Sequence, residues 1–245
     1  MSEQQTAPEI SIDAPWNALF IDGEWERPGG RDSIDVRNPA TRESVTAVPA
    51  GTEEDVDRAF EAATRAQEEW AETTPDERAA VVRRTADLIE EYEDEIREIL
   101  AVETGATKPR QDIEWGGTVT FVHDAASFAF RSSGGHNQSK IPGKENIIQR
   151  EPVGVVGVIS PWNVPLKLSI RAVAPAIALG NSVVLKPAQE SSISGGLLLA
   201  RLFEMAGLPD GVLNVVTGEG SVAGDRTASH PDCDVIAFTG STGAG

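Results

Sequence analysis

The fold is decided by residues 153–163, VGVVGVISPWN, which are typical of a buried strand followed by a polar exit loop. Residues 153–159 are apolar on both faces, as in a parallel strand covered on two sides. Beyond Pro165, residues 166–179 carry an amphipathic helical pattern that Gly180 ends. The loop that contains Asn163 therefore follows the carboxyl end of a strand, where catalytic and cofactor groups collect in open α/β sheets.

The same alternation continues along the chain and sets the fold class. The predicted elements are strands at 153–159, 182–186, 212–217 and 234–238, separated by helices at 166–179, 192–206 and 220–229. Strands spaced by helices of this length form parallel βαβ units with right-handed crossovers. We therefore predict an α/β fold with a doubly wound parallel sheet.

The amino-terminal part is more varied. Residues 1–18 lack periodicity and predict a mobile tail, and residues 19–48 predict small peripheral strands. The predicted helices are 53–71 after a Thr52 cap, one long helix from the Thr74 capping box to Gly105, and one within 111–129. Residues 130–152 have an extended pattern with Gly-Gly and Pro-Gly breakers, as in a surface β-hairpin.

Composition excludes several classes of protein. The formal charge is −18, with 31 acidic and 16 basic residues in 1–150 and 8 acidic and 5 basic residues in 151–245. A field of this sign disfavours nucleic-acid and membrane partners. An acidic surface with 5 lysines against 16 arginines fits either adaptation to high salt or an ordinary acidic cytosolic protein. One cysteine, no signal stretch and no spanning apolar run predict a cytoplasmic location.

Several ordered motifs resemble the aldehyde dehydrogenase superfamily, and the resemblance covers almost everything after about Leu19. They are IDGEW at 21–25, NPAT at 38–41, REPVGVVGVISPWN at 150–163, APAIALGN at 174–181, VLKP at 184–187, AGLPDGVLNVV at 206–216 and FTGST at 238–242. Several motifs in order are far more specific than one glycine pattern.

The resemblance implies a domain organisation. It makes residues 19–129 the amino-terminal helical part of a Rossmann-like cofactor domain and residues 153–245 its dinucleotide-binding part. It also implies that the hairpin at 130–152 joins an oligomerisation sheet, so the full-length protein is expected to be a homo-oligomer. An ordinary surface hairpin is the alternative for this segment.

The implied reaction is the oxidation of an aldehyde to a carboxylic acid with NAD or NADP. Covalent attack on the aldehyde creates a negatively charged oxygen, and a fixed hydrogen-bond donor lowers that barrier. Asn163 matches the asparagine that supplies this donor in the family. The alternative is an asparagine that caps the following helix.

The resemblance also implies a set of cofactor contacts. Lys186 matches a lysine that bonds the adenosine ribose, although a plain strand-end lysine is the alternative. Gln189 stands where many members have a glutamate that repels a 2′-phosphate, and Glu190 could partly substitute, so NAD and NADP both stay open. The remaining implied cofactor residues are Ile159, Ser160, Pro161, Trp162, Gly220, Gly224, Thr239, Gly240 and Ser241. Neither glycine cluster gives the GxGxxG fingerprint, and each could be a plain strand-to-helix turn.

Two further expectations concern the chemistry that this chain lacks. Cys233 does not match the nucleophile of the family, whose cysteine and base glutamate are expected beyond Gly245, so the chain alone is expected to be inactive. A non-catalytic dinucleotide-binding or assembly module is the alternative function. His123, His136 and His230 have no metal-ligand spacing and are interpreted as structural. Glutamate-semialdehyde-type and aromatic aldehydes both remain open as substrates.

Overall fold

The computed structural model of the chain describes residues 12, 14–131, 134–243 and 245. The strands are β1 (Leu19–Ile21), β2 (Glu24–Glu26), β3 (Ser33–Arg37), β4 (Ser44–Pro49), β5 (Gly135–Gln138), β6 (Glu145–Ile148), β7 (Val155–Ile159), β8 (Ser182–Lys186), β9 (Leu213–Val215) and β10 (Val235–Phe238). The helices are α1 (Glu53–Ala71), α2 (Pro75–Glu91), α3 (Glu93–Thr104), α4 (Lys108–Phe128), α5 (Pro165–Ala178), α6 (Leu198–Met205) and α7 (Asp225–Ser229).

The central sheet has the strand order β10-β7-β8-β9-β1-β2. The first four strands are parallel, and β1 and β2 add to the β9 edge in antiparallel orientation. The predicted alternation of strands and helices after residue 153 is confirmed, as is the α/β fold class. The peripheral strands expected at 19–48 contribute β1 and β2 to this main sheet, whereas β3 and β4 pair only with each other.

Both faces of the sheet are covered, because neighbouring side chains in each strand point to opposite sides. Val155 and Val184 pack on α1, which presents Val56, Phe60 and Ala63 at helical spacing. Their neighbours in the strands face the other way, toward α5, and α2 and α4 pack in turn on α5. The two layers give the sheet the doubly wound arrangement that the sequence predicts.

The start of β7 differs from the prediction by two residues. Gly154 has φ of +120°, a conformation that other residues rarely adopt, so residues 153 and 154 lie outside the sheet. The side chain of Asn181 takes the place of strand pairing for these two residues. Its oxygen accepts from the N–H groups of Val153 at 2.7 Å and Gly154 at 3.2 Å. The strand is thus anchored by a side chain that precedes its neighbour β8.

The long helix predicted between Thr74 and Gly105 is wrong, because the structure divides it at Tyr92 into α2 and α3. The indole of Trp115 in α4 donates to the carbonyl of Ile89 at 3.1 Å. An uninterrupted helix would use that carbonyl for the N–H of Glu93. A side chain that takes a carbonyl from the ladder is a recognised cause of helix breaks.

The hairpin between α4 and β7 forms a separate two-stranded sheet. β5 and β6 pair in antiparallel register from Gly135 opposite Ile148 to Gln138 opposite Glu145. Ile147 and Ile148 are 69% and 53% exposed on it.

The predicted tail falls largely on residues 1–11 and 13, outside the described residues, while Ile12 and Ala18 are buried. No helix in the described part of the chain combines the length and apolar character that a membrane span requires.

Candidate functional site

A cleft of about 620 Å³ opens at the carboxyl ends of β7, β8 and β10. Backbone hydrogen bonds hold these strand ends together, from Ser160 N–H to the Lys186 carbonyl at 3.2 Å and from Thr239 N–H to the Ile159 carbonyl at 3.0 Å. The cleft is lined by Ile159, Ser160, Pro161, Trp162, Asn163, Lys186, Ala188, Gln189, Glu190, Gly220, Phe238, Thr239, Gly240 and Ser241. The structure therefore brings together all the predicted site residues except Gly224.

Gly224 lies away from the cleft and is buried at the end of a π-helical turn, Gly220–Gly224, that continues into α7. Its N–H donates to the Glu219 carbonyl within this turn. Gly220 is exposed at the other end of the turn and lines the cleft. A Cβ added at Gly220 would meet no protein atom within 4 Å, so the backbone here is open to a ligand.

Asn163 lies at the tip of the exit loop of β7, between Pro161 and Pro165. Its side chain is exposed, and it forms no hydrogen bond with any other described residue. The N-cap of α5 is Val164, which has no side-chain cap. The alternative interpretation, that Asn163 caps this helix, is therefore wrong, and its carboxamide is available to a ligand in the cleft.

The first turn of α5 is capped by Glu114, which comes from the neighbouring helix α4. The fully buried carboxylate accepts from Leu166 N–H at 2.9 Å and also contacts the N–H of Lys167. Burial raises the pKa of Glu114 to about 6, against the opposing effect of these two N–H groups and Arg110. Because Pro165 has no N–H and Leu168 N–H reaches the Val164 carbonyl, the helix start needs no further partner.

A second buried carboxylate caps the start of the helical segment that follows β8. Glu103, at the end of α3, accepts from the N–H groups of Ile193 and Ser194, each at 2.7 Å. These residues begin a π-helical turn, Ile193–Leu197, that leads into α6. Complete burial raises the pKa of Glu103 to about 7, although its hydrogen bonds to Ser194 and Ile193 act in the opposite direction.

Sequence reasoning missed both glutamates, although a signal exists. Glu103 continues the buried positions Ile96 and Leu100 at helical spacing, and Glu114 shares a buried face with Thr118 and Val122. A carboxylate on the apolar face of a helix needs a hydrogen-bond partner when it is buried. The pattern would therefore have identified both as buried acceptors, but not the groups that they bind.

Lys186 is the cationic side chain of the cleft. It is only 5% exposed, and burial lowers its pKa, while the nearby Glu190 carboxylate acts in the opposite direction. No carboxylate among the described residues forms a salt bridge with it. An ammonium group that is buried without a salt bridge is costly, and such groups concentrate at functional sites.

Cys233 and the histidines lie outside the cleft. Cys233 is half-buried before β10, beside Gly157, and burial raises the pKa of its thiol. His230 stacks on Phe60 at 4.1 Å between ring centres, while His123 and His136 contact surface glutamates. Within the described ranges, His, Cys, Asp and Glu side chains form no group of three or more that could hold a metal ion.

A second cavity, of about 640 Å³, lies at the amino ends of β7 and β10, and the cleft lies at the other end of the same strands. Arg78, Arg131, Arg150, Val153 and Val235 are among its lining residues. It contains none of the predicted site residues. We therefore regard the cleft with Asn163 and Lys186 as the candidate functional site.

Comparison with known proteins agrees with this architecture. The model of the "Aldehyde dehydrogenase family" matches residues 25–245. A vanillin dehydrogenase from Corynebacterium glutamicum is 44% identical over 98% of the chain and 49% of its own length. The chain thus spans about half the length of the curated relatives that it matches.

Solved structures give the same result. The crystal structure of an NAD-dependent benzaldehyde dehydrogenase from Corynebacterium glutamicum has a TM-score of 0.91 and 43% identity, covering 94% of this chain and 50% of that one. An NADP-dependent enzyme from E. coli has a TM-score of 0.90 and 33% identity over 93% of this chain and 47% of that one. The family match, the sequence identity and the shared fold lead to one conclusion: the chain belongs to the aldehyde dehydrogenase family.

Proposed function

We propose that this chain supplies the cofactor cleft and one oxyanion-stabilising donor of an NAD- or NADP-dependent aldehyde dehydrogenase. The observation that supports this most strongly is the presence of the unpartnered Asn163 carboxamide and the unpaired Lys186 ammonium in one cleft. One of these groups can stabilise a developing negative charge, and the other can donate to a ribose hydroxyl.

The cleft residues fit a dinucleotide. The Lys186 ammonium forms no hydrogen bond or salt bridge among the described residues, and the backbone at Gly220 is open where a Cβ would otherwise project. At the helical segments that follow β7 and β8, the first N–H groups already bind Glu114 and Glu103. We therefore assign the phosphate contact to the open end of the turn at Gly220. Gln189 and Glu190 line the same wall, where the Glu190 carboxylate disfavours but does not block a 2′-phosphate.

NAD or NADP, when bound, would accept the hydride removed from the aldehyde carbon. Asn163 would donate its amide N–H to the aldehyde oxygen as that oxygen gains negative charge. Pro161 and Pro165 restrict the backbone on both sides of the donor, so little reorganisation is needed during the reaction. Lys186 would hold the ribose, and the wall formed by Ile159, Thr239 and Gly240 would limit the cofactor to one orientation.

We assign the nucleophile to a part of the protein outside this chain. Cys233 does not line the cleft and has a thiol pKa raised by burial, which opposes thiolate formation. The same reasoning supports the second candidate function, a dinucleotide-binding module that turns over no substrate by itself. Relatives named for vanillin and benzaldehyde support an aromatic aldehyde as the substrate.

We also propose that the β5–β6 hairpin contributes to a homo-oligomer interface. Its exposed Ile147 and Ile148 support this role, since large apolar side chains are usually covered in the working assembly.

The test uses Asn163→Ala in the full-length protein, with Asn17→Ala, at an exposed position outside the cleft and the hairpin, as a matched control. Loss of one oxyanion donor should lower kcat about 10²–10³-fold while the affinity for NAD or NADP stays constant. Cofactor affinity is measured by calorimetry, and aldehyde oxidation by the absorbance of the reduced cofactor. Equal kcat values for N163A and wild type would overturn the proposed role. If the full-length protein binds the cofactor but oxidises no aldehyde, the binding-module function is correct instead.

A further inference from the structure

We propose that Glu114 and Glu103 are positioning residues for two different parts of the cleft. Glu114 fixes the Asn163 donor, and Glu103 fixes the ribose-side wall, which is the 3₁₀ turn Gln189–Ser191. The inference rests on the proposed function. It adds two residues that lie outside the cleft and act through the helix starts that they bind.

The first step is the contact of Glu114. Its Oε1 atom accepts from Leu166 N–H at 2.9 Å, three residues after Asn163. Residues 163–166 include Pro165, which leaves few free torsions between the donor and the anchored N–H. A shift of the Glu114 carboxylate would therefore move the Asn163 carboxamide with it.

The second step is that this anchor has no substitute. Val164 provides no side-chain cap, and Asn163 itself does not bond the helix start. The other oxygen of Glu114 has no hydrogen-bond partner, and the nearest cation is Arg110 Nε at 3.9 Å. Without the carboxylate, buried N–H groups at the start of α5 would lose their acceptor, and the loop would rearrange to satisfy them.

The third step is the parallel contact of Glu103. Its two oxygens bind Ile193 and Ser194, just after the 3₁₀ turn Gln189–Ser191 that forms the ribose-side wall. Ser192 ties this turn together through its hydroxyl, which donates to the carbonyl of Gln189 at 3.2 Å. Glu103 is therefore connected to the cofactor wall, and Glu114 is connected to the reacting end.

The two contacts predict different kinetic effects, which a general loss of stability would not produce. Glu114→Asp keeps the charge but shortens the side chain by one methylene group, whereas Glu114→Gln keeps the length and an acceptor oxygen. We expect E114D to lower kcat about 10²-fold with the KM for the cofactor unchanged, because small displacements of a catalytic group have effects of this size. E114Q should stay within about threefold of wild type, since its side-chain oxygen still reaches Leu166.

For Glu103 the expected pattern is reversed. E103D should raise the KM for NAD or NADP about tenfold with kcat within about threefold of wild type, a loss of about 1.4 kcal/mol in cofactor binding. E103Q keeps an acceptor for only one of the two N–H groups that Glu103 binds, so it should restore only part of the cofactor affinity. Steady-state kinetics of the full-length protein with saturating aldehyde measures both parameters in all four variants.

The possible outcomes distinguish the inference from the function on which it rests. If the wild-type protein oxidises no aldehyde, the proposed function fails and this inference fails with it. If the wild type is active and E114D keeps its kcat, or if E103D and E114D change the same parameter, only the positioning roles are wrong. Should the aspartate variants not fold, hydrogen exchange in E114Q and E103Q decides. Protection retained at residues 166 and 193 supports the inference, and its loss with unchanged kinetics overturns it.

Discussion

The side-chain carbonyl of Asn181 accepts a hydrogen bond from the backbone N–H of Val153 at 2.7 Å. The same side chain also binds Gly154 N–H at 3.2 Å and donates to the Ala176 carbonyl at 3.1 Å. A single buried amide thus links the start of β7 to the end of α5. It sets the position of the strand from which the Asn163 loop leaves the sheet.

Removal of this amide should destabilise the fold. Asn181→Ala removes three hydrogen bonds of a buried side chain, two from N–H groups at the start of β7 and one to the Ala176 carbonyl, so we expect a loss of about 2–3 kcal/mol in the free energy of unfolding. Urea denaturation measures the loss as a lower midpoint with an unchanged slope. Asn17→Ala, at an exposed position outside the hairpin, is the control and should be neutral. A midpoint for N181A equal to that of wild type would show that another group holds β7.

Lys186→Met should separate binding from stability. Loss of a charged donor to the ribose should weaken cofactor affinity at least about tenfold, since such hydrogen bonds contribute about 1.5–3 kcal/mol. The same change should raise the melting temperature of the cofactor-free chain, because it removes a buried ammonium whose burial the nearby Glu190 carboxylate offsets only in part.

The pH dependence of this gain has a defined sign. Since burial lowers the pKa of Lys186, the folded state binds its proton less tightly than the unfolded state does. The stability of the wild type therefore rises as the pH passes through the lowered pKa toward the ordinary lysine value, and the advantage of K186M shrinks there. Thermal unfolding of both proteins at neutral and alkaline pH checks this. A constant difference would contradict the assignment.

Glu103→Gln should change how stability depends on acidity. The folded-state pKa of about 7 lies above the ordinary value of 4.5, so the protonated form is favoured by folding. The contribution of Glu103 is fully present below 4.5 and is lost as the pH rises toward 7. We expect the stability of E103Q relative to wild type to increase across this window by up to about 3 kcal/mol.

Chemical denaturation of wild type and E103Q at several pH values provides the measurement. Glu98→Gln, at a half-buried position of the same helix, serves as the comparison variant. Parallel curves for E103Q and wild type would mean that the buried carboxyl keeps an ordinary pKa.

Two glycines in one turn offer a matched test of the phosphate contact. A Cβ at Gly220 or at Gly224 meets no protein atom within 4 Å, so both alanine variants should fold as well as wild type. Only Gly220 lines the cleft, and G220A should weaken dinucleotide binding about tenfold, or about 1.4 kcal/mol. Calorimetric titration of both variants is the measurement. Equal dinucleotide affinities for G220A and G224A would show that the phosphate does not contact this turn.

The predictability of the fold follows from how local each signal is. Residues 155–159 and 182–186 are short apolar runs bounded by turn residues, so the sequence identifies them directly. The capping boxes at Thr52 and Thr74 are also local, and the structure has both. The break at Tyr92 depends on Trp115, which belongs to another helix, so no pattern within 75–104 indicates it.

The same reasoning applies to the candidate site. Strand-end residues such as Asn163 and Lys186 are predictable, because the alternation of elements places them at one edge of the sheet. The pairing of β1 with β9 joins Phe20 to Val215, and the contacts of Glu103 and Glu114 also join distant segments. Such long-range partners depend on the packed tertiary structure, which a single sequence does not specify residue by residue.

The position of β10 has a consequence for handling the isolated polypeptide. Within the part of the chain that the structure describes, this strand pairs on one side, with β7, and Val235, Ile236 and Phe238 are 43%, 41% and 39% exposed on it. Unpaired main-chain N–H and C=O groups beside exposed apolar side chains can pair with a strand of another molecule, which leads to aggregation. Concentrated preparations should therefore self-associate along this margin, and a lysine introduced at Ile236 should keep them dispersed.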